Sequence, residues 1–216
     1  MITVASAVEQ IIKKLPYIEE ALGEGIINLS ALARLILPEV RVLTYKRVQE
    51  GAVLMALKRM PKLINTSAEV KEVLKKSHDL ITRSNLVEFT VLNLTFTTDK
   101  HRKIIEETEK TGRCFLTITQ GMFETTVIVS QELKEVVEKI LGIKNIVSYF
   151  DKLSSVTVHL PGKTVLTPGV YYSILKSLAW GGINVVEVVS TFSEFTIILK
   201  DKEVERAFSL LKNISS

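Results

Sequence analysis

Residues 111–130 (TGRCFLTITQGMFETTVIVS) lie without a gap on residues 181–200 (GGINVVEVVSTFSEFTIILK). The offset is seventy, and it sets Gly112 on Gly182, Glu124 on Glu194, Thr126 on Thr196 and Ile128 on Ile198. A chain that repeats itself in this way is constrained to fold twice by one plan. The elements around the two segments agree with that. After Ser84 the apolar period changes from near four to two. Residues 87–92 read as a strand, and 99–110 as a helix with Ile104 and Ile105 inward. Residues 114–119 and 123–129 read as strands joined at Gln120-Gly121, a hairpin signal. A helix over 131–141 and a strand over 143–150 follow. The order is βαββαβ, which gives an antiparallel sheet with both helices on one face, the ferredoxin-like plan. The order then restarts with a strand at 155–160, a helix at 168–180, strands at 183–190 and 194–199, and a helix at 202–213. The last strand is missing, so it is expected from elsewhere, either residues 87–92 or another chain. The repeat thus predicts two domains, 84–151 and 152–216.

Residues 1–83 read as a helical module. Val8, Ile11, Ile12, Leu15, Ile18 and Leu22 recur at three- and four-residue steps, with Gly23 and Gly25 as stop signals. Asn28 offers an N-cap for a second helix through Ala31, Leu32, Leu35 and Ile36, with a kink or an end at Pro38. A third helix is expected over 44–60, with Val48, Ala52, Leu54, Met55 and Leu57 mostly inward and Pro61 ending it. Ser67 caps a fourth over 68–80. The expected fold class is therefore α+β: a helical module, of a kind that suits a helix-turn-helix or winged-helix-like unit and equally a small dimerising bundle, followed by two ferredoxin-like domains.

Charge is distributed unevenly. Residues 1–85 carry 13 basic and 9 acidic side chains, and residues 86–216 carry 15 of each, so the net charge of +4 lies wholly in the first part. Arg41, Lys46, Arg47, Lys58, Arg59 and Lys62 face one acid, Glu50, over residues 41–62. Lys46, Arg47, Lys58 and Arg59 are the candidates for contacts to nucleic-acid phosphates, against the plainer reading of a solvated helix face.

Much chemistry is excluded. One cysteine, Cys114, leaves no disulfide framework and no multi-cysteine zinc site, and its apolar strand suits an inert buried thiol. His78, His101 and His159 are scattered, so no metal is expected. Gly162-Lys163-Thr164 resembles the end of a phosphate-binding loop, but Thr157 stands where that motif needs glycine. Gly181-Gly182 lacks a third glycine at the dinucleotide spacing. No cofactor and no catalysis are expected. The longest uncharged stretch, residues 164–175, is too short to span a bilayer, and the start MITVASAVEQ lacks the pattern of a signal peptide. A cytoplasmic protein with no membrane partner is expected.

The segments Val156-Thr-Val-His-Leu-Pro, Leu166-Thr-Pro-Gly-Val170, Gly182-Ile-Asn184-Val and Ser193-Glu-Phe-Thr-Ile197 occur in the order that ACT domains show. The chain from Val156 to Leu211 resembles the ACT domains at the regulatory end of aspartate kinases. Over residues 86–151 the resemblance rests on element order, with Thr98-Asp99-Lys100 and Gly112-Arg113-Cys114 at the corresponding turns. Nothing in residues 1–83 resembles a kinase catalytic domain. The physical reading is that Thr167 caps a helix starting at Pro168, and that the amides of Gly169 and Val170 at its positive end suit a carboxylate. Gly182 closes that helix, and the backbone of Ile183, Asn184 and Val185 suits an amino group. In the ACT family, ligands sit where two domains pair. The resemblance therefore implies a free amino acid between Thr167, Pro168, Gly169 and Val170 of one unit and Ile183, Asn184 and Val185 of a paired one. Ser193 and Glu194 would be side-chain contacts. A non-catalytic regulatory protein that forms a homodimer is expected. The alternatives are a DNA-binding transcription regulator, and a regulatory or scaffolding subunit of an amino-acid biosynthetic enzyme.

Overall fold

The computed structural model describes residues 2–15, 18, 21–22, 25–60, 66–77 and 79–214, without the side chains of residues 66–68. The expected stop at Gly23, the expected helix end at Pro61, the cap by the Ser67 side chain, and Lys62 and His78 lie outside what is described. The chain forms two compact units, Met1–Asn65 and Thr66–Ser216.

The first unit contains α1 (Val4–Lys13), α2 (Leu29–Thr44) and α3 (Glu50–Arg59). Thr3 caps α1 by accepting the Ser6 amide, and Asn28 caps α2 by accepting those of Ser30 and Ala31, both at 3.1 Å. Ala7, Val8, Ile11 and Ile12 of α1 pack with Leu32, Ala33, Ile36 and Val40 of α2 and with Val48, Val53 and Leu57. Pro38 does not end α2, because the buried face runs on through Val40 to Thr44. The helix stops instead at Tyr45, which is left-handed at φ 53°. Arg41 Nε then donates to the Val48 carbonyl at 3.0 Å and holds the turn before α3. That turn delays α3 to Glu50 and puts Val53 inward in place of Ala52 and Met55. Among the described residues of this unit there is no strand, so a winged-helix wing is not found there.

The second unit runs α4 (Thr66–Lys75), β1 (Leu80–Leu92), α5 (Thr98–Thr111), β2 (Leu116–Gln120), β3 (Glu124–Ser130), α6 (Lys134–Leu141), β4 (Ile146–His159), α7 (Val170–Trp180), β5 (Glu187–Ser190), β6 (Glu194–Lys200) and α8 (Val204–Ile214). All strands join one antiparallel sheet in the order β2-β3-β1-β4-β6-β5. Helix α4 belongs here and not with the N-terminal helices, since Val70, Val73 and Leu74 lie in the core with α7 and α8.

Two strands are longer than the sequence suggests. β4 is one strand where two, ending at Phe150 and starting at Ser155, are expected. β1 starts at Leu80, inside the expected fourth helix. Leu80–Arg83 pairs with Val158–Ser155 and supplies the missing last strand of the second half. Each half then has four neighbouring strands: the later part of β1, β2, β3 and the early part of β4, or the later part of β4, β5, β6 and the early part of β1.

The repeat is geometric. Thr119 pairs with Thr126 and Val189 with Thr196, the same register at an offset of seventy. β1 maps onto β4 at an offset of 67, and Leu86 pairs with its own counterpart, Leu153. A pseudo-twofold axis therefore passes through that pair. It relates the bulge residues Asn85 (φ 60°) and Lys152 (φ 51°), both left-handed. It also relates the hydroxyl bond Thr90–Thr126 (3.2 Å) to Thr157–Thr196 (2.8 Å).

One sheet face packs on helices. Val87, Phe89, Val91, Val127 and Val129 face α5 and α6, while Val156, Val158, Phe195, Ile197 and Leu199 face α7, α8 and α4. By the alternation of strand side chains, Leu86, Ile128 and Ile198 point to the other face, where they cluster with Leu153. Phe115, Val186 and Val189 pack against that cluster. Leu153→Ala removes a fully buried side chain on the axis. It is expected to cost about 3 kcal/mol, read as a lower denaturant midpoint at unchanged slope.

Candidate functional site

Helix α7 organises the site. It starts at Val170 after Gly169, which is left-handed at φ 92° and leaves the helix with no side-chain cap. The Gly169 carbonyl accepts from both the amide and the hydroxyl of Ser173, each at 3.0 Å. Thr167 is not the cap of this helix, a correction to the sequence reading. It ends a short 3-10 helix, Gly162–Leu166, and its hydroxyl donates to the Lys163 carbonyl at 3.0 Å. The cap position requires a positive φ, which glycine adopts without the penalty a side chain brings. The first turn of α7 thus presents amides that, among the described residues, no side chain caps, at the positive end of the helix.

The other end of α7 closes on Gly182, at φ 67°. The Gly182 amide donates to Ala179 and that of Ile183 to Leu178, at 3.0 and 2.9 Å. This is a Schellman closure, and Leu178 and Ile183 are buried together beneath it. Asn184 is exposed and Val185 half-buried, and β5 begins only at Glu187.

An eleven-residue helix is about 16 Å long. Thr167, Pro168, Gly169 and Val170 therefore lie at the opposite end of α7 from Ile183, Asn184 and Val185. Ser193 and Glu194 share the first end. The Leu160 amide donates to the Ser193 carbonyl at 2.7 Å, and Glu194 pairs with His159.

The first half differs at the matching place. Thr97 caps α5 through its hydroxyl, and Lys100 Nζ donates to the Thr95 and Leu141 carbonyls at 2.7 and 2.8 Å. An internal ammonium thus ties the start of α5 to the end of α6. Cys114 is half-buried rather than buried, packs against the core of the first half just before β2, and its thiol donates to Glu132 at 3.9 Å. Among the described residues no group of three His, Cys, Asp or Glu is placed to hold a metal ion.

Three polar groups escaped the sequence reading. Thr164 is buried and its hydroxyl has no partner. Glu88 stands between Ile128 and Phe150, 4% exposed, with Oε2 unpartnered. Burial pushes its carboxyl up to about 7, helped by the nearby Glu187 carboxylate and opposed by Lys200. The Glu187 carboxyl is itself raised by burial. Across the pseudo-twofold axis Glu88 maps to Ser155, whose buried hydroxyl also lacks a partner.

The basic residues of the first unit do not gather on one helix face. Lys46 and Arg47 sit in the turn before α3, and Lys58 and Arg59 in its last turn. The ten-residue helix between them is about 15 Å long. No described helix is long and apolar enough to cross a membrane.

No protein-family model matches the sequence, and no curated protein matches it. Solved structures match its fold. Aspartate kinase from Clostridium acetobutylicum aligns at a TM-score of 0.53 and 13% identity, over 65% of this chain and 35% of that one. The regulatory subunit of aspartate kinase from Thermus thermophilus, in ligand-free form, aligns at 0.52 and 12% identity, over 65% of this chain and 99% of that one. The aspartokinase alpha and beta subunits give a structure that aligns at 0.50 and 15% identity, over 64% of this chain and 97% of that one. The fold has antiparallel strands in ferredoxin-like order. It is similar in particular to the regulatory domains of aspartate kinases. The chain spans about a third of the length of the Clostridium kinase and nearly all of the Thermus regulatory subunit.

Proposed function

We propose that this chain is a non-catalytic regulatory protein whose two ACT-type domains, 84–151 and 152–216, bind a small amino acid and pair with a second copy. The observation that carries the reading is the uncapped start of α7 at Gly169. It offers a carboxylate its backbone amides, while the start of α5 is taken up by Thr97 and Lys100. The ligand then lies between the Thr167, Pro168, Gly169 and Val170 turn of one copy and the Ile183, Asn184 and Val185 backbone of another. The separation of these segments along α7 supports a site shared between copies. Ligand binding favours one arrangement of the paired domains, which repositions the helical unit.

A thermal-shift screen of the whole chain against the twenty amino acids tests this. A ligand present at 100 times its Kd stabilises the folded state by about 2.7 kcal/mol. A rise in Tm of several degrees for one amino acid or a related group is expected. A blank across the panel, at concentrations up to solubility, sinks the reading. The likeness to a kinase regulatory subunit also supports a second reading, a subunit of an amino-acid biosynthetic enzyme. Co-purification of such an enzyme would separate it from the first.

A further inference from the structure

Helix α4 has no partner in the repeat, since α5 corresponds to α7 and α6 to α8. It nevertheless lies on the second half. Val70, Val73 and Leu74 are buried with Val170, Ile174 and Leu178. Val70 reaches the start of α7: a Cβ on Gly169 would stand 3.6 Å from Val70 Cγ2. Two residues on, the Glu72 carboxyl is held low by its bond to Lys76, and Lys163 adds to that pull. The loop from Lys163 to Gly169 therefore has α4 beside both its ends. Within that loop, Thr164 is 5% exposed with an unpartnered hydroxyl, and its carbonyl accepts the Thr167 amide at 3.1 Å.

An uncapped helix start and a buried hydroxyl in want of a partner thus share one loop, alongside a helix that the repeated fold does not need. We propose that α4 is a lid on the carboxylate end of the amino-acid site, closed in this structure, with the Thr164 hydroxyl as an additional ligand contact. The inference rests on the amino-acid reading above. The ligand carboxylate replaces the apolar cover of Val70 and supplies Thr164 with an acceptor. Since α4 directly follows the helical unit in the chain, lifting it passes ligand occupancy to that unit. The apparent affinity is lowered by the fraction of molecules with the lid open.

The test uses the whole chain and two readouts. Hydrogen exchange without ligand is expected to show the α4 amides opening well before those of α7 and α8. Exchange of all three helices in step overturns the lid, whether or not any amino acid binds. Val73→Ala loosens α4 without touching the turn. Titrated with each of the twenty amino acids, it is expected to bind about tenfold more tightly than the unsubstituted chain. Equal affinity in the two proteins overturns the lid. No binding to either protein overturns the amino-acid reading itself, and the lid with it. Thr164→Val is expected to weaken binding about tenfold with little change in Tm, and unchanged affinity removes Thr164 from the site.

Discussion

Glu88→Gln is expected to flatten a fall in stability that the unsubstituted protein shows between pH 4.5 and about 7. An unfolded chain ionises this carboxyl near 4.5, whereas the folded chain holds the proton to about 7. Below the first value both states are protonated and nothing is lost. Between the two values the unfolded state has released a proton that the folded state keeps. Each rise in pH therefore favours unfolding, and above the second value the loss is constant. The gap corresponds to a loss of about 3 kcal/mol. Gln has nearly the same shape and cannot ionise. Chemical denaturation from pH 4.5 to 8 is the measurement. Parallel curves for the two proteins would show that Glu88 is not the group responsible. Glu72 and Asp99 act in the opposite sense and at lower pH. Their exposed carboxyls are held low, Glu72 by Lys76 and Asp99 by Lys103 and Arg102.

Gly169→Asp is expected to weaken amino-acid binding at least about a hundredfold, or about 2.7 kcal/mol. The substitution puts a carboxylate where the ligand carboxylate would sit, and the new side chain can itself cap the free amides of α7. The position also has φ 92°, so any side chain is strained there. Gly169→Ala separates the two effects. It carries the strain, about 1 kcal/mol of stability, without the charge. The expected pattern is a similar loss of Tm in both variants, with binding lost mainly in Gly169→Asp. Equal affinity in the Asp variant and the unsubstituted protein would remove the turn from the site. Equal loss in both variants would assign the effect to backbone strain.

The repeat was legible because its hairpins carry alternating apolar residues, and the alignment on Thr126 and Thr196 proved to be the true register. The first part of β1 was not legible. Ile81, Thr82, Arg83, Ser84 and Asn85 are all exposed, so a stretch whose first three residues pair with β4 shows no alternation of burial. Asp151 and Lys152 fall between the two expected strands for a related reason. They form a bulge inside β4, where a left-handed lysine bends the strand without ending it. At the start of α7 the sequence suggested the wrong parts of the turn. Thr-Pro suggested a helix start, but the left-handed conformation two residues later decides where α7 begins. Thr164 and Glu88 gave no signal, because the consequence of a polar residue depends on what tertiary packing puts around it.

The crossing of the halves through β1 bears on how the protein is made. Leu80 and Val158 pair across 78 positions of chain. On a ribosome, the first half can close once β4 has emerged. The edge of β4 at Leu153–His159 then stands open until its outer partner β6 arrives, with β5 beyond it. Contacts of this range slow folding, and an unfinished edge invites pairing with a neighbouring chain. Residues 80–83, which no described strand pairs on their other side, carry the exposed Thr82 and Arg83, and these make such pairing less favourable at that edge.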